Sequence, residues 1–143
     1  MHPVIRIPGD ISTIVLSAIA ENKFKQAFDD MNSNVSFGKH LTNMLIAHYI
    51  ITSVIVISNM VLYGKYSYNN NLTTEFKQRY IFVEFSLIII HLALSTILLA
   101  VIIVLHGQLK DEFSNSESIR TALIMTYVSA SISIIMDLVN IFN

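Results

Sequence analysis

The sequence predicts an all-α membrane protein: an N-terminal amphipathic interfacial helix followed by three transmembrane helices. Three observations predict it. Residues 41–63, 81–105 and 119–142 are long apolar stretches, and roughly 20 apolar residues at 1.5 Å rise cross a bilayer. Hydrophobic residues make up 53% of the 143 and charged residues only 13%, about half the charge of a soluble domain. Residues 11–31 have a helical pattern but too many charges to span. The chain therefore divides into residues 1–40, a lead-in with an amphipathic helix, and residues 41–143, a transmembrane helical domain.

Composition excludes several functions. A net charge of −1 gives no basic field, so no nucleic-acid partner is expected. Without cysteine there is no disulfide framework, thiolate metal site or cysteine nucleophile. The four glycines are not clustered into a phosphate loop, and no serine sits in a nucleophile elbow. The adjacent acids Asp29-Asp30 and Asp111-Glu112 read as solvated linker charge. The expectation is a protein that is not an enzyme and uses no cofactor or metal. Met1-His2-Pro3-Val4-Ile5-Arg6 lacks the charged start and apolar core of a signal peptide, so the first span is expected to act as its own insertion signal.

Each element can be read in turn. Residues 1–10 are expected to be extended, because Pro3 and Pro8 lack amide donors and Gly9 loosens the chain. Asp10 is then a helix N-cap. Along 11–31, Ile7, Ile11, Ile14, Val15, Ala18 and Ile19 share one side at 100° per residue. Leu16, Ala20, Phe24, Ala27, Phe28 and Met31 share roughly the opposite side. The stripe changes faces near Glu21–Asn22, so the helix either kinks there or meets apolar material on two sides. The membrane interface suits such a helix, with charges in water and Phe24 and Phe28 among headgroups. Residues 32–40 read as a polar turn, 64–80 and 106–118 as linkers.

Every span carries a narrow polar stripe. His48, Thr52 and Asn59 fall within an arc of about 40° on the first. Glu84, His91 and Ser95 share a face of the second, which His106 continues. Ala122, Thr126, Ser129, Ser133, Asp137 and Asn140 fall within about 80° on the third. An ionisable group facing hydrocarbon costs roughly 2.5–3.5 kcal/mol, whereas polar groups facing another helix gain about 0.6 kcal/mol per hydrogen bond. The stripes should face inward, towards each other or neighbouring copies. Ser129 and Ser133 form a small-xxx-small pair, which marks the third helix for tight contact. The intramembrane polar residues His48, Asn59, Glu84, His91 and Asp137 are candidates for a proton or ion path. Ala18, Phe24, Phe28, Thr126, Ser129 and Ser133 are candidates for a packing or oligomer interface.

The aromatics Tyr63, Tyr66, Tyr68, Tyr80 and Phe82 cluster at span ends, as interface belts do. Two N-glycosylation sequons occur, Asn34-Val35-Ser36 and Asn71-Leu72-Thr73. With three spans, the N-terminal segment and residues 106–118 share one side. Arg6, Lys23, Lys25, Lys39, Lys110 and Arg120 bias that side towards the cytoplasm.

The order of elements resembles the ninjurins, small membrane proteins with amphipathic helices followed by a hydrophobic hairpin. Ile14-Val15-Leu16-Ser17-Ala18-Ile19-Ala20-Glu21-Asn22-Lys23-Phe24-Lys25 looks like that family's alanine-rich amphipathic stretch. Ser36-Phe37, Lys65-Tyr66 with the Asn69-Asn70-Asn71 run, and Val139-Asn140-Ile141-Phe142 are similar to its later landmarks. Ninjurins have two spanning helices, so their hairpin corresponds either to 41–105 with an added helix or to 81–142 with an inserted one. The resemblance implies a plasma-membrane homo-oligomer with a role in cell adhesion or membrane rupture. An internal membrane is the other possible residence.

Three functions follow. The first is a membrane protein that self-assembles through its amphipathic helix and its small or polar helix faces. The second is an accessory subunit of a channel, transporter or respiratory complex, with other membrane subunits and the lipid bilayer as partners. The third is a proton-coupled carrier, which would need its polar groups to form a path.

Overall fold

The computed structural model describes residues 3–30, 36–68 and 74–142. Four long helices, α1 (Pro3–Asp30), α2 (Ser36–Tyr68), α3 (Thr74–Gln108) and α5 (Glu117–Phe142), are joined by one short helix, α4 (Lys110–Asn115). The described residues contain no strand. Within them, His40–Val61, Gln78–Gln108 and Glu117–Phe142 are long and apolar enough to cross a membrane. The expected class, an all-helical membrane protein with an N-terminal helix and three spans, is what the chain forms. Both sequons, at Asn34 and Asn71, fall partly or wholly outside the described residues, and so do the side chains of Tyr63, Tyr66 and Tyr68.

Around the bundle the helices neighbour one another in the order α1, α2, α3, α5, and α5 closes back on α1. Cross-helix pairs fix their directions. Thr52 meets His91 and His48 meets Ser95, so α2 and α3 are antiparallel. His91 meets Asp137 and His106 meets Tyr127, so α3 and α5 are antiparallel. Arg6 meets Asp137 and Ser17 meets Ser129, so α1 and α5 are antiparallel. The result is an up-down-up-down four-helix bundle.

Each helix turns one seam inward at alternating steps of four and three residues. On α1 the buried seam is Arg6, Asp10, Thr13, Ser17, Ala20, Phe24 and Ala27. On α3 it passes through Ile88, His91, Ser95, Leu98, Ile102 and Leu105. A 3.5-residue repeat is the seam of left-handed helix packing. The outward positions are apolar instead, including Ile11, Val15, Ile57, Ile89, Ile97, Ile103, Val128 and Ile135. Water would oppose this surface; hydrocarbon solvates it.

Several local expectations are corrected. Residues 3–10 are helical, with Pro8 inside α1. Pro8 is the sixth residue of α1, so the helix gives up the bond that an amide there would make to the Val4 carbonyl, and burial of the flanking Arg6 and Asp10 holds the segment in register. Gly9 lies against the Met136 side chain of α5, whose Cε would be 2.7 Å from a Cβ there. Asp10 is therefore no N-cap but a core residue bonded to Arg6. The apolar stripe of α1 changes sides near Glu21–Asn22 without a break in the helix, so of the two expected alternatives the helix meets apolar material on two sides. The inward seam keeps its side and changes chemistry, from polar at Arg6–Ser17 to apolar at Ala20–Ala27, while Ile5, Ile11, Val15 and Ile19 stay exposed.

Boundaries also move. The division expected at residue 40 falls inside α2, and the polar turn at 32–40 is helical from Ser36 onward. Of the expected 64–80 linker, the residues up to Tyr68 belong to α2 and those from Thr74 to α3, because helix propagation is cheap once a helix is nucleated. Residues 106–118 contain the end of α3 and all of α4. Ser116 caps α5, accepting the Ile119 amide at 3.4 Å as an N-cap hydroxyl does. Because α1 runs the length of the bundle, Arg6 stands at the opposite end from residues 106–118, not beside them.

The interior has two halves. Towards the C-terminal end of α1, Ala20, Phe24, Ala27, Leu41, Leu45, Leu98, Ile102, Leu105, Ile119, Ala122 and Leu123 form one apolar cluster. The other half holds nearly all the buried polar side chains.

Candidate functional site

The polar half begins at Arg6. Its Nε donates to Asp10 Oδ2 at 3.1 Å, and its Nη2 donates to Asp137 Oδ1 at 2.9 Å. Helical spacing sets the first bond, since positions i and i+4 share a face. The second joins the first turns of α1 to the last turns of α5. All three side chains are at least 98% buried. Charges removed from water in this way persist only when paired, and the guanidinium is a partner to both carboxylates.

Asp137 extends the set into α3. His91 Nδ1 lies 2.6 Å from Asp137 Oδ2 and, facing a carboxylate, donates to it. That carboxylate therefore receives a guanidinium on one oxygen and an imidazole on the other. On its far side, His91 Nε2 lies 2.8 Å from Thr52 Oγ1 of α2. The Thr52 hydroxyl is also 2.7 Å from the His48 carbonyl oxygen.

One turn deeper lies the second histidine. The rings of His48 and His91 are stacked, with centroids 5.0 Å apart and planes 10° from parallel. His48 Nε2 lies 2.9 Å from Ser95 Oγ, which donates to the His91 carbonyl at 2.8 Å. His48 Nδ1 lies 3.0 Å from Ser17 Oγ, and Ser17 Oγ is 2.6 Å from Ser129 Oγ. Each of the four long helices contributes a hydroxyl or an ionisable group. Ser17, His48 and Ser129 lie well inside their helices, so α1 runs at the same depth as the spans beside it.

Of the residues expected to line the interior, His48, Asn59, His91 and Asp137 are buried, and three of them are joined. Asn59 lies two turns beyond Thr52 with its Nδ2 unpartnered. Glu84 is half-buried and lies outside the bonded set. The expected packing residues Phe24, Thr126, Ser129 and Ser133 are buried within this one chain, whereas Ala18 and Phe28 are half-buried. Phe28 stacks on Phe24 at 5.8 Å, and Thr126 returns its hydroxyl to the Ala122 carbonyl at 2.7 Å.

Sequence reasoning missed Arg6, Asp10, Thr13 and Ser17. It took Arg6 as loop charge and Asp10 as a cap. The signal was present in the spacing of positions 6, 10, 13, 17, 20, 24 and 27, which continues the Phe24 seam without a break.

Chemically, the site is a carboxylate, an imidazole and a hydroxyl in hydrogen-bond sequence, beside a second imidazole flanked by hydroxyls. Such groups bind and pass protons, whereas the guanidinium keeps its charge throughout. Among the described residues, Arg6 Nη1, Thr13 Oγ1, Asn59 Nδ2 and Ser133 Oγ are buried without a hydrogen-bond partner. They lie in this half of the interior, where each leaves a polar group unmet. No group of three described His, Asp or Glu residues is arranged to hold a metal ion.

No family model matches the chain, and neither does any curated protein or solved structure. The ninjurin resemblance accordingly rests on the residues quoted for it.

Proposed function

We propose that this chain is a proton-coupled membrane protein, in which the His91–Asp137 pair is the proton-binding site. One observation carries the reading: a buried carboxylate, imidazole and hydroxyl joined in series, at the depth of the spanning helices. Intramembrane ionisable groups are costly to keep, and they commonly mark proton or ion pathways. The apolar cluster around Phe24, Leu45, Leu98 and Leu123 closes the other half of the bundle. Proton access is therefore one-sided in this conformation, from the end where Asn59 and the half-buried Glu84 lie. A carrier that exposes one side at a time has this form. The plasma membrane, implied by the ninjurin resemblance, is the proposed residence.

Self-assembly drew on the amphipathic helix and on small or polar helix faces, and service as an accessory subunit on polar stripes in need of partners. Those faces are occupied within one chain, so neither reading has a specific observation in its favour.

Purified protein in vesicles carrying an internal pH-sensitive dye tests the proposal. An imposed inside-negative potential should acidify the interior faster than in empty vesicles, and His91→Leu should return the rate to that of empty vesicles. Equal rates for wild type and empty vesicles would remove the reading.

A further inference from the structure

Counting hydrogens in the network leads beyond a general proton site. Thr52 has one hydroxyl hydrogen and two neighbours at bonding distance, the His48 carbonyl at 2.7 Å and His91 Nε2 at 2.8 Å. When the hydrogen goes to the carbonyl, Thr52 Oγ1 can only accept from His91, so Nε2 must carry a proton. Nδ1 already donates to Asp137. His91 is then doubly protonated. When Nε2 releases its proton, the Thr52 hydroxyl turns from the carbonyl and donates to the bare Nε2. The His48 carbonyl keeps its backbone helix bond. Both states are satisfied by one hydroxyl rotation, with no heavy atom moved.

Charge favours the same division. With both carboxylates ionised against the Arg6 guanidinium, the four-residue set is neutral only when His91 holds its extra proton. His48 is the neutral ring, because its side-chain partners are the hydroxyls of Ser95 and Ser17 and the carboxylate lies on His91. Ser95 gives its hydrogen to the His91 carbonyl, so it accepts from His48 Nε2–H. The Ser129 hydroxyl has two acceptors, Ser17 Oγ at 2.6 Å and the Thr13 carbonyl at 3.4 Å; when it takes the nearer, Ser17 donates to His48 Nδ1 at 3.0 Å. Two cationic rings stacked 5.0 Å apart would repel each other.

We infer that the stacked pair holds a single exchangeable proton, on His91, and that Thr52 is the positioning residue whose hydroxyl rotation accommodates its uptake and release. The charged and titratable groups facing His91 are Arg6 and Asp10 of α1, His48 of α2 and Asp137 of α5. This inference rests on the reading of the site as proton-coupled, but its chemistry is observable without transport.

The test is nitrogen NMR of the full chain, with 15N-labelled histidine, in lipid nanodiscs. The two rings are assigned with His48→Gln and His91→Gln. As the pH is lowered, His91 should be the first of the pair to become doubly protonated, while His48 keeps its proton on Nε2. At a fixed pH, Thr52→Val should lower the ratio of doubly to singly protonated His91 at least tenfold, the scale of one lost hydrogen bond to a charged group. Thr52→Ser should keep that ratio within twofold. Protonation of His48 first, simultaneous protonation of both rings, or an unchanged ratio in Thr52→Val would overturn the inference. If Thr52→Val does not fold, the order of protonation in wild type and the ratio in Thr52→Ser decide it. Intact spectra without vesicle flux would remove transport and leave the switch; flux with failed spectra would do the reverse.

Discussion

Arg6 and Asp137, 131 positions apart in the chain, are joined at 2.9 Å in the core of the bundle. This bond ties α1 to the spanning helices by charge as well as by packing. Arg6 also holds Asp10, so one guanidinium pairs with carboxylates from two helices.

Removing that guanidinium should be costly. Arg6→Met leaves Asp10 and Asp137 buried without their common partner, and breaking a buried pair from one side costs roughly 3–5 kcal/mol. Asp137→Leu should cost a similar amount. The double variant should lose clearly less than the sum of the two, since the partners fail together. Unfolding of the detergent-solubilised protein by added SDS measures all three. Additive losses would contradict the pairing.

The inward seam of α1 yields a test of face. Phe24 is fully buried, whereas Ile19 is 37% exposed. Phe24→Ala should destabilise the bundle by about 3–5 kcal/mol through the cavity it leaves. Ile19→Ala should stay within about 0.5 kcal/mol, as expected where no core contact is lost. The same unfolding assay reads both, and equal losses would mean that α1 is rotated from the orientation described.

Ser17 and Ser129 offer a test of whether the bundle is closed within one chain. Their hydroxyl oxygens are 2.6 Å apart, and the chain has no native cysteine. Under oxidation, the pair Ser17→Cys with Ser129→Cys should form an intrachain disulfide, visible as a faster monomer band on a non-reducing gel. A disulfide-linked dimer as the main product would show that α1 packs on a neighbouring copy.

The depth of α1 can be read from Val15, which faces outward. Single-cysteine Val15→Cys in intact membranes should resist a charged, water-soluble maleimide and react with a lipid-soluble one. Gly107→Cys, exposed at a helix end, should react with the water-soluble reagent once membranes are permeabilised. Rapid aqueous labelling of Val15→Cys would return α1 to the headgroup layer.

The spans were legible because lipid simplifies them. On α3 the polar groups His91 and Ser95 fall on the seam of Ile88, Leu98, Ile102 and Leu105, while the other faces are nearly uniformly apolar. A polar stripe on an apolar helix then identifies the inward side directly. On α1 the usual rule reads in reverse. Ile11 and Val15 face outward towards hydrocarbon, and Arg6, Asp10, Thr13 and Ser17 face the core. An apolar stripe taken as the packing face consequently points the helix the wrong way. Pro8 added a second false signal, since the packing of its buried neighbours Arg6 and Asp10 outweighs the helix bond it removes. The His91–Asp137 and Arg6–Asp137 bonds depend on the register between distant helices, which periodicity within one helix does not encode.

The most direct test of the central claim is the reversal potential of the current through the purified protein in a planar bilayer, measured with a pH difference across the membrane and symmetrical salt. The account predicts a potential that follows the proton gradient, is unmoved by sodium, potassium or chloride gradients, and vanishes with the current in Asp137→Asn. A current that follows another ion, or none above that of the bare bilayer, would contradict it.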